Sequence, residues 1–195
     1  MKITKYAGAL LLAVMLAVSW SADLSATKLL HMNLEQLLQN SDRVFTGTLI
    51  GVEETTVEAG GGTIRALAYT FKVEQAFKGQ FGTQKGLQIA EIRTIGTLKQ
   101  LENRRPPVPG FPLFHSGQRY LLIVNPDGPA GLTSTAGLGQ GSFEIDGREG
   151  QEVAKNLFNN AGLFRGMNVS GAPASGPVSY VFLSNLINEL VQGGN

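Results

Sequence analysis

Residues 63–77, Thr-Ile-Arg-Ala-Leu-Ala-Tyr-Thr-Phe-Lys-Val-Glu-Gln-Ala-Phe, decide the fold class of this chain. Their large apolar side chains recur at every second position from Leu67 to Val73, which is typical of a strand with one buried face. Residues 43–57 are rich in Val, Thr and Ile and favour a second long strand. Three glycines in residues 58–62 permit a tight connection. The sequence therefore predicts a long β-hairpin.

Further apolar segments extend this pattern in both halves of the chain. They are residues 87–95, 118–124, 132–136 and 142–145. In the first of them, Leu87 and Ile89 are out of phase with Ile92, which predicts a bulge near Ala90. Residues 151–158 are compatible with either a helix or an irregular arm. The chain is thus expected to be mainly β.

Helices are predicted on either side of the strands. Asn33 and Gln36 have the spacing of a capping box, and the leucines that follow Asn33 recur at helical intervals. Residues 166–176 are rich in Gly, Ser, Ala and Pro and predict a flexible linker. Residues 177–192 carry a wide apolar stripe at 3.6-residue spacing, as in an amphipathic helix.

The N-terminal 26 residues have the pattern of an export signal. Lys2 and Lys5 precede 15 uncharged residues, 6–20, and small residues allow cleavage after Ser21 or Ala26. An uncleaved membrane anchor is the alternative, although a spanning helix needs about 17–25 apolar residues. We expect an exported bacterial protein, periplasmic or secreted, with no stable membrane insertion after cleavage.

Composition narrows the classes of function. The chain has no Cys, which removes disulfides, thiol catalysis and lipid attachment to cysteine. Without Lys2 and Lys5, 14 basic residues remain against 15 acidic ones, and they are scattered along the chain. A nucleic-acid partner is not expected, because such proteins usually carry a basic face. No feature of the sequence predicts an oligomeric state.

No reactive motif is visible in the sequence. His31 and His115 are the only histidines and lack metal-ligand spacing, so neither a metal nor another cofactor is expected. The glycines of residues 137–141 precede a strand rather than a helix, which predicts a turn and not a nucleotide loop. No Ser lies in a G-x-S-x-G elbow, but a catalytic triad assembled only in space stays open.

The loop of residues 97–117 carries the one positive site hypothesis. It contains four prolines, and loops of this length are often functional. Arg104, Arg105, Phe111 and Phe114 combine fixed charges and aromatic rings on a stiff backbone, as a binding site for a protein or glycan would. In the alternative interpretation, the loop covers the mouth of a barrel and the two Phe residues act as plugs.

Part of the chain resembles a family of uncharacterised bacterial exported proteins. The resemblance rests on residues 41–49, 69–79, 114–123 and 137–145 and spans residues 41–145. It implies a core similar to the OB-type barrel of netrin and tissue-inhibitor-of-metalloproteinase domains. Those inhibitors bind the protease zinc through an N-terminal Cys. Since this chain has no Cys, that mechanism does not carry over.

We therefore predict a small antiparallel OB-like barrel of five or six strands in residues 27–165, with a short N-terminal helix and a C-terminal amphipathic helix. The expected core consists of Val44, Leu49, Leu67, Phe71, Val73, Ile89, Leu121, Ile123 and Phe143. The favoured function is an exported non-catalytic binding or adaptor domain, and an enzyme is the less favoured class. The alternatives are a protease-associated accessory or inhibitor-like protein, and a hydrolase with a spatially assembled site.

Overall fold

The fold is one antiparallel sheet with helices beside it, seen in a computed structural model that describes residues 30–193. The predicted signal peptide, residues 1–26, lies outside these residues. The strands are β1 (Arg43–Ala59), β2 (Gly62–Lys78), β3 (Gly82–Gln84), β4 (Leu87–Ile95), β5 (Arg119–Val124), β6 (Ser142–Asp146), β7 (Val153–Asn156) and β8 (Val178–Ser179). The helices are α1 (Leu34–Gln39), α2 (Leu98–Glu102) and α3 (Tyr180–Gly193). The prediction of a mainly β protein with flanking helices is confirmed.

The prediction of a closed barrel is wrong. The strand order is β3-β4-β2-β1-β5-β6-β7-β8, and the two outermost strands do not pair with each other. Along β1, Val44 belongs to one hydrophobic cluster and Phe45 to another, so the sheet is covered on both faces. A small barrel instead turns one face inward as its core. Here the helices and the loop of residues 97–117 cover the two faces, so the apolar side chains are buried without closure of the sheet.

The central hairpin is confirmed and is longer than expected. Ala59 pairs with Gly62, and Gly60 and Gly61 form the turn with φ of +63° and +78°. Two positive φ values match the hairpin turn whose twist suits antiparallel strands. The pairing of β1 with β2 has three register shifts, all within the first half of β1.

The bulge predicted near Ala90 is absent from the pairing of β4 with β2. The register runs without a shift from Ile89, opposite Lys72, to Ile95, opposite Ala66. Ala90 and Ile92 occupy the buried side of β4, whereas Leu87 and Ile95 are exposed. The large apolar residues of β4 therefore do not all share one face, and no bulge is needed to align them.

The end of the hairpin projects beyond the rest of the sheet. Strand β5 pairs with β1 only as far as Thr48, and β4 pairs with β2 only as far as Ala66. Within residues 30–193, residues 56–59 and 62–65 therefore pair only with each other, and the outer edge of β1 beyond Thr48, which pairs with no other strand, carries Glu53, Glu54 and Glu58. The outermost strands of the sheet, β3 and β8, have three and two residues.

Two hydrophobic layers form the core. The first lies between α1, α3 and the sheet, and includes Leu34, Leu37, Phe143 and Leu183. The second is rich in aromatic rings and lies between β1, β2, β4 and β5 and the loop of residues 97–117. All of the predicted core residues are buried except Ile89, which is half-buried.

The helices follow their sequence signals closely. The Asn33 side chain accepts a hydrogen bond from Gln36 N at 2.9 Å, and Gln36 Oε1 accepts one from Asn33 N at 2.9 Å, which completes the predicted capping box. Helix α3 begins at Tyr180, later than predicted, because Val178–Ser179 pair with β7. In residues 30–193, no helix has the length and apolar character to cross a membrane.

Two segments differ from their predictions. Residues 153–156 form strand β7 rather than a helix or an irregular arm, because they pair with β6 and β8. Residues 132–136 form a single bridge, Val124 with Thr135, instead of a strand. The segment predicted as a linker is joined to the body at its end, where Gly176 N donates to Asn159 O at 2.7 Å.

Candidate ligand-binding groove

The loop of residues 97–117 lies against the aromatic layer of the sheet. Its first turn is α2, capped by Thr97, whose side chain accepts from Gln100 N. Phe111 and Phe114 are 2% and 7% exposed, and their ring centroids are 5.6 Å apart in an edge-on contact. Phe114 also lies 5.0 Å from the Tyr120 ring. The two rings therefore pack into the aromatic layer of an open sheet, and the loop covers that layer rather than the mouth of a barrel.

The two arginines of the site hypothesis have a different position. Arg104 and Arg105 are exposed, and their backbone N–H groups donate to Leu101 O and Gln100 O. Of the four predicted site residues, only these two present their side chains to solvent. The structure thus brings Phe111 and Phe114 together in the core.

The end of this loop and the neighbouring strands enclose an open groove of about 470 Å³. We refer to it as the β6–β7 groove. It is lined by Pro106, Gly110, Phe111, Pro112, Leu113, His115, Tyr120, Ser142, Glu144, Lys155, Asn156 and Leu157. Its volume is within the range of small-molecule sites, roughly 300–1,000 Å³.

Strand pairing places the polar residues of the β6–β7 groove in one row. Glu144 of β6 is opposite Tyr120 of β5 on one side and Lys155 of β7 on the other. Ser142 lies two residues before Glu144, on the same face of β6. Strands β6 and β7 therefore supply a hydroxyl, a carboxylate and an ammonium to the same groove.

These polar groups have free hydrogen-bonding capacity. Ser142 is 4% exposed, and within residues 30–193 its hydroxyl has no hydrogen-bond partner. In the same part of the chain, neither Glu144 nor Lys155 forms an ion pair. The hydroxyl oxygen of Ser142 is not one of the fully buried atoms without a partner, so it is accessible from the groove. Because Ser142 lines the groove, a ligand or water there would satisfy it.

Apolar residues form the walls of the groove. Pro112 and Leu113 come from the loop, and Leu157 follows β7 and is exposed. Leu157 N donates to Gly139 O at 3.3 Å, and a Cβ atom at Gly139 would come within 2.8 Å of the Leu157 side chain. Glycine at 139 therefore allows this close approach. The glycines of residues 137–141 form a 3-10 turn, in agreement with the predicted structural role.

Another half-buried ionic cluster is fully paired. Arg119 contacts Glu152 and lies 2.6 Å from Glu74 Oε2, and its guanidinium is 4.9 Å from the centroid of the Tyr180 ring. The Tyr180 hydroxyl lies 3.1 Å from Thr46 Oγ1. These contacts tie β2, β5 and α3 together, so we assign the cluster a structural role.

Comparisons with known proteins add no functional assignment. No family model matches this sequence, and no curated protein is significantly similar to it. The β6–β7 groove is therefore interpreted from its own chemistry. Sequence reasoning missed Ser142, Glu144 and Lys155, since no motif joins them. The alternation of β6 is the one signal that places Ser142 and Glu144 on one face.

The electrostatic environment of the groove is evident at Tyr120. Burial, with a smaller contribution from the carboxylates of Glu144 and Asp146, raises the pKa of Tyr120 to about 12. The hydrogen bond that His115 N donates to the phenol oxygen, at 2.9 Å, acts in the opposite direction. The phenol is therefore neutral near pH 7.

We expect alkaline pH to destabilise the fold through Tyr120. The unfolded chain loses this proton near pH 10, whereas the folded chain keeps it to about pH 12, so the free energy of unfolding falls across that window. Two pKa units correspond to roughly 3 kcal/mol. Urea unfolding at pH 9 and pH 11.5 should show a smaller decrease for Tyr120→Phe than for the natural chain. Equal decreases would contradict the assignment.

Proposed function

We propose that this chain is an exported, non-catalytic binding domain whose ligand occupies the β6–β7 groove. The observation that carries the proposal is the set of polar groups that line the groove without a protein partner in residues 30–193: the Ser142 hydroxyl has no hydrogen bond, and Glu144 and Lys155 have no ion pair. Apolar walls with a few convergent polar groups are typical of ligand sites. Here the polar groups are Ser142, Glu144 and Lys155.

Export to the periplasm or the medium is supported by the sequence of residues 1–26. The positive residues, the uncharged segment and the small residues near Ser21 follow the order of a signal peptide. The absence of Cys is consistent with release without a lipid. The resemblance to netrin-like exported domains stays a prediction, as does the inhibitor-like function that rests on it.

Binding is favoured over hydrolysis by the hydrogen-bonding pattern. Ser142, His115 and Glu144 all line the groove, as a spatially assembled hydrolase would require. A nucleophile, its base and the group that orients the base are normally joined by hydrogen bonds. In the part of the chain that the structure describes, no side-chain hydrogen bond joins any two of these residues. We therefore propose that the groove binds its ligand without catalysing a reaction.

The volume of the groove limits the size of the ligand or ligand group that it can hold. A volume of about 470 Å³ holds a small molecule, one sugar unit or one side chain of a protein partner. The protein or glycan partner expected from the loop of residues 97–117 stays a prediction. Arg104 and Arg105, which precede the groove-lining Pro106, would contact such a partner outside the groove.

A cysteine-free chain permits a selective test of the groove. Leu157→Cys, labelled with a maleimide photocrosslinker, places the probe at an exposed wall of the groove. The control is Arg148→Cys, in an exposed turn that does not line the groove. After illumination in the native envelope fraction, we expect a saturable adduct only at position 157, competed by the unlabelled mature protein.

The mass of that adduct separates the classes of ligand. A small molecule, a glycan and a protein give different increments, and each supports binding at the groove. Identical adducts at positions 157 and 148, or none that can be competed, would contradict the proposal. Ester hydrolysis that disappears in Ser142→Ala would assign the groove to the hydrolase class instead.

A further inference from the structure

We infer that the β6–β7 groove binds a free α-amino acid with an apolar side chain, its ammonium on Glu144 and its carboxylate on Lys155. The inference rests on the proposed binding function and names the class of ligand. It starts from two opposite charges on adjacent strands of one groove. Neither of them is used in an ion pair within residues 30–193.

The charge arrangement selects a zwitterion. A ligand with a single negative charge would be attracted by Lys155 but repelled by Glu144. A ligand with a single positive charge would be attracted by Glu144 but repelled by Lys155. Side chains directly opposite each other on paired strands have Cβ atoms about 4.5–5.5 Å apart. This spacing suits a ligand whose two charges are separated by a single carbon, as in an α-amino acid.

The attraction between Glu144 and Lys155 does not prevent such binding. A cross-strand pair of opposite charges is stabilised only weakly at an exposed position. Lys155 is exposed and Glu144 is half-buried. Charge-assisted hydrogen bonds to a ligand would therefore replace a weak interaction with two stronger ones.

The remaining groups of the groove complement the rest of the ligand. The Ser142 hydroxyl can both donate and accept, so it can join either the carboxylate or the ammonium. Leu113, Pro112 and Leu157 supply an apolar wall for the side chain. An aliphatic or aromatic amino acid therefore fits better than a charged one, since a third charge would have no partner at this wall.

Calorimetric titration of the mature protein with L-leucine and L-phenylalanine provides the test. We expect saturable binding of at least one of them. N-acetylation removes the ammonium and methyl esterification removes the carboxylate. Each should weaken binding roughly ten- to a hundredfold, the effect of one lost charged hydrogen bond. A dipeptide should bind more weakly as well, because its charges are farther apart.

Variants identify the partners of each charge. Glu144→Gln and Lys155→Gln should each lower the affinity by a similar factor, whereas Glu149→Gln and Arg148→Gln, both exposed outside the groove, should not. The double variant Glu144→Lys with Lys155→Glu keeps both charges in exchanged positions. It should regain part of the affinity that either single reversal loses, because the ligand can bind in the opposite orientation.

Two results would overturn the inference. One is no saturable heat with either amino acid at millimolar concentration. The other is binding that Glu144→Gln and Lys155→Gln leave unchanged. A groove-specific crosslinked adduct alongside either result would refute the amino-acid ligand and leave the binding function standing. If neither amino-acid binding nor a groove-specific crosslinked adduct is detected, both the amino-acid ligand and the binding function are refuted.

Discussion

Phe71→Ala is expected to lower the free energy of unfolding by about 3–5 kcal/mol. Phe71 is fully buried in the aromatic layer, and its ring contacts those of Phe45, Phe114 and Tyr120 at centroid distances of 5.9, 5.2 and 6.2 Å. Removing the ring leaves a cavity among side chains that are held by the sheet on one side and the loop on the other. Domains of this size have only about 5–15 kcal/mol of stability.

The measurement is urea unfolding followed by circular dichroism, because the only Trp of the chain is residue 20, within the predicted signal peptide. Phe81→Ala is the matched control. Phe81 also contacts Phe45, at 5.4 Å, but it is half-buried at the margin of the layer. We expect a clearly smaller loss for this variant. A loss at Phe71 no larger than that at Phe81 would contradict the assigned packing.

Asn160→Ala is expected to cost about 3 kcal/mol or more, since it removes three hydrogen bonds at a buried position. The Asn160 amide donates to Ala154 O at 2.9 Å and to Gly176 O at 2.8 Å, and its oxygen accepts from Asn156 N at 2.9 Å. The residue is 1% exposed. Each buried partner left unsatisfied costs roughly 1–3 kcal/mol.

The adjacent asparagine isolates this effect from backbone strain. Asn159 and Asn160 have φ of +53° and +56°, so replacement by Ala introduces similar strain at both positions. Asn159 is exposed, and in residues 30–193 its side chain has no hydrogen bond. The difference in unfolding free energy between the two variants therefore measures the buried network. Equal values would show that strain alone accounts for the loss.

The parts of the fold that the sequence predicts well are those that local interactions determine. The capping box at Asn33 and Gln36 and the glycine turn of the hairpin depend on residues within a few positions of each other. The open sheet could not be predicted in this way. Ala66 and Ala68 lie on the second face of β2 and are buried, yet alanine is compatible with either a covered or a solvated face.

The groove was missed for a related reason. Glu144 and Lys155 are neighbours only because β7 pairs with β6. The four residues of β7 are too few to give a periodic signal in the sequence. Phe111 and Phe114 illustrate the converse case. Their proline-rich surroundings are typical of an exposed recognition loop, whereas their burial depends on the space left above Tyr69 and Phe71.

The ends of the sheet have a consequence for neighbouring copies of the protein. An open sheet can grow by adding strands from another chain, and long flat edges promote fibril formation. Here the outermost strands have three and two residues, which present few free backbone groups. The longer unpaired edge of the hairpin carries Glu53, Glu54 and Glu58; Glu54 pairs with Arg65, and the charges of Glu53 and Glu58 repel an identical edge. Crowded copies of this open sheet are thereby protected from joining edge to edge.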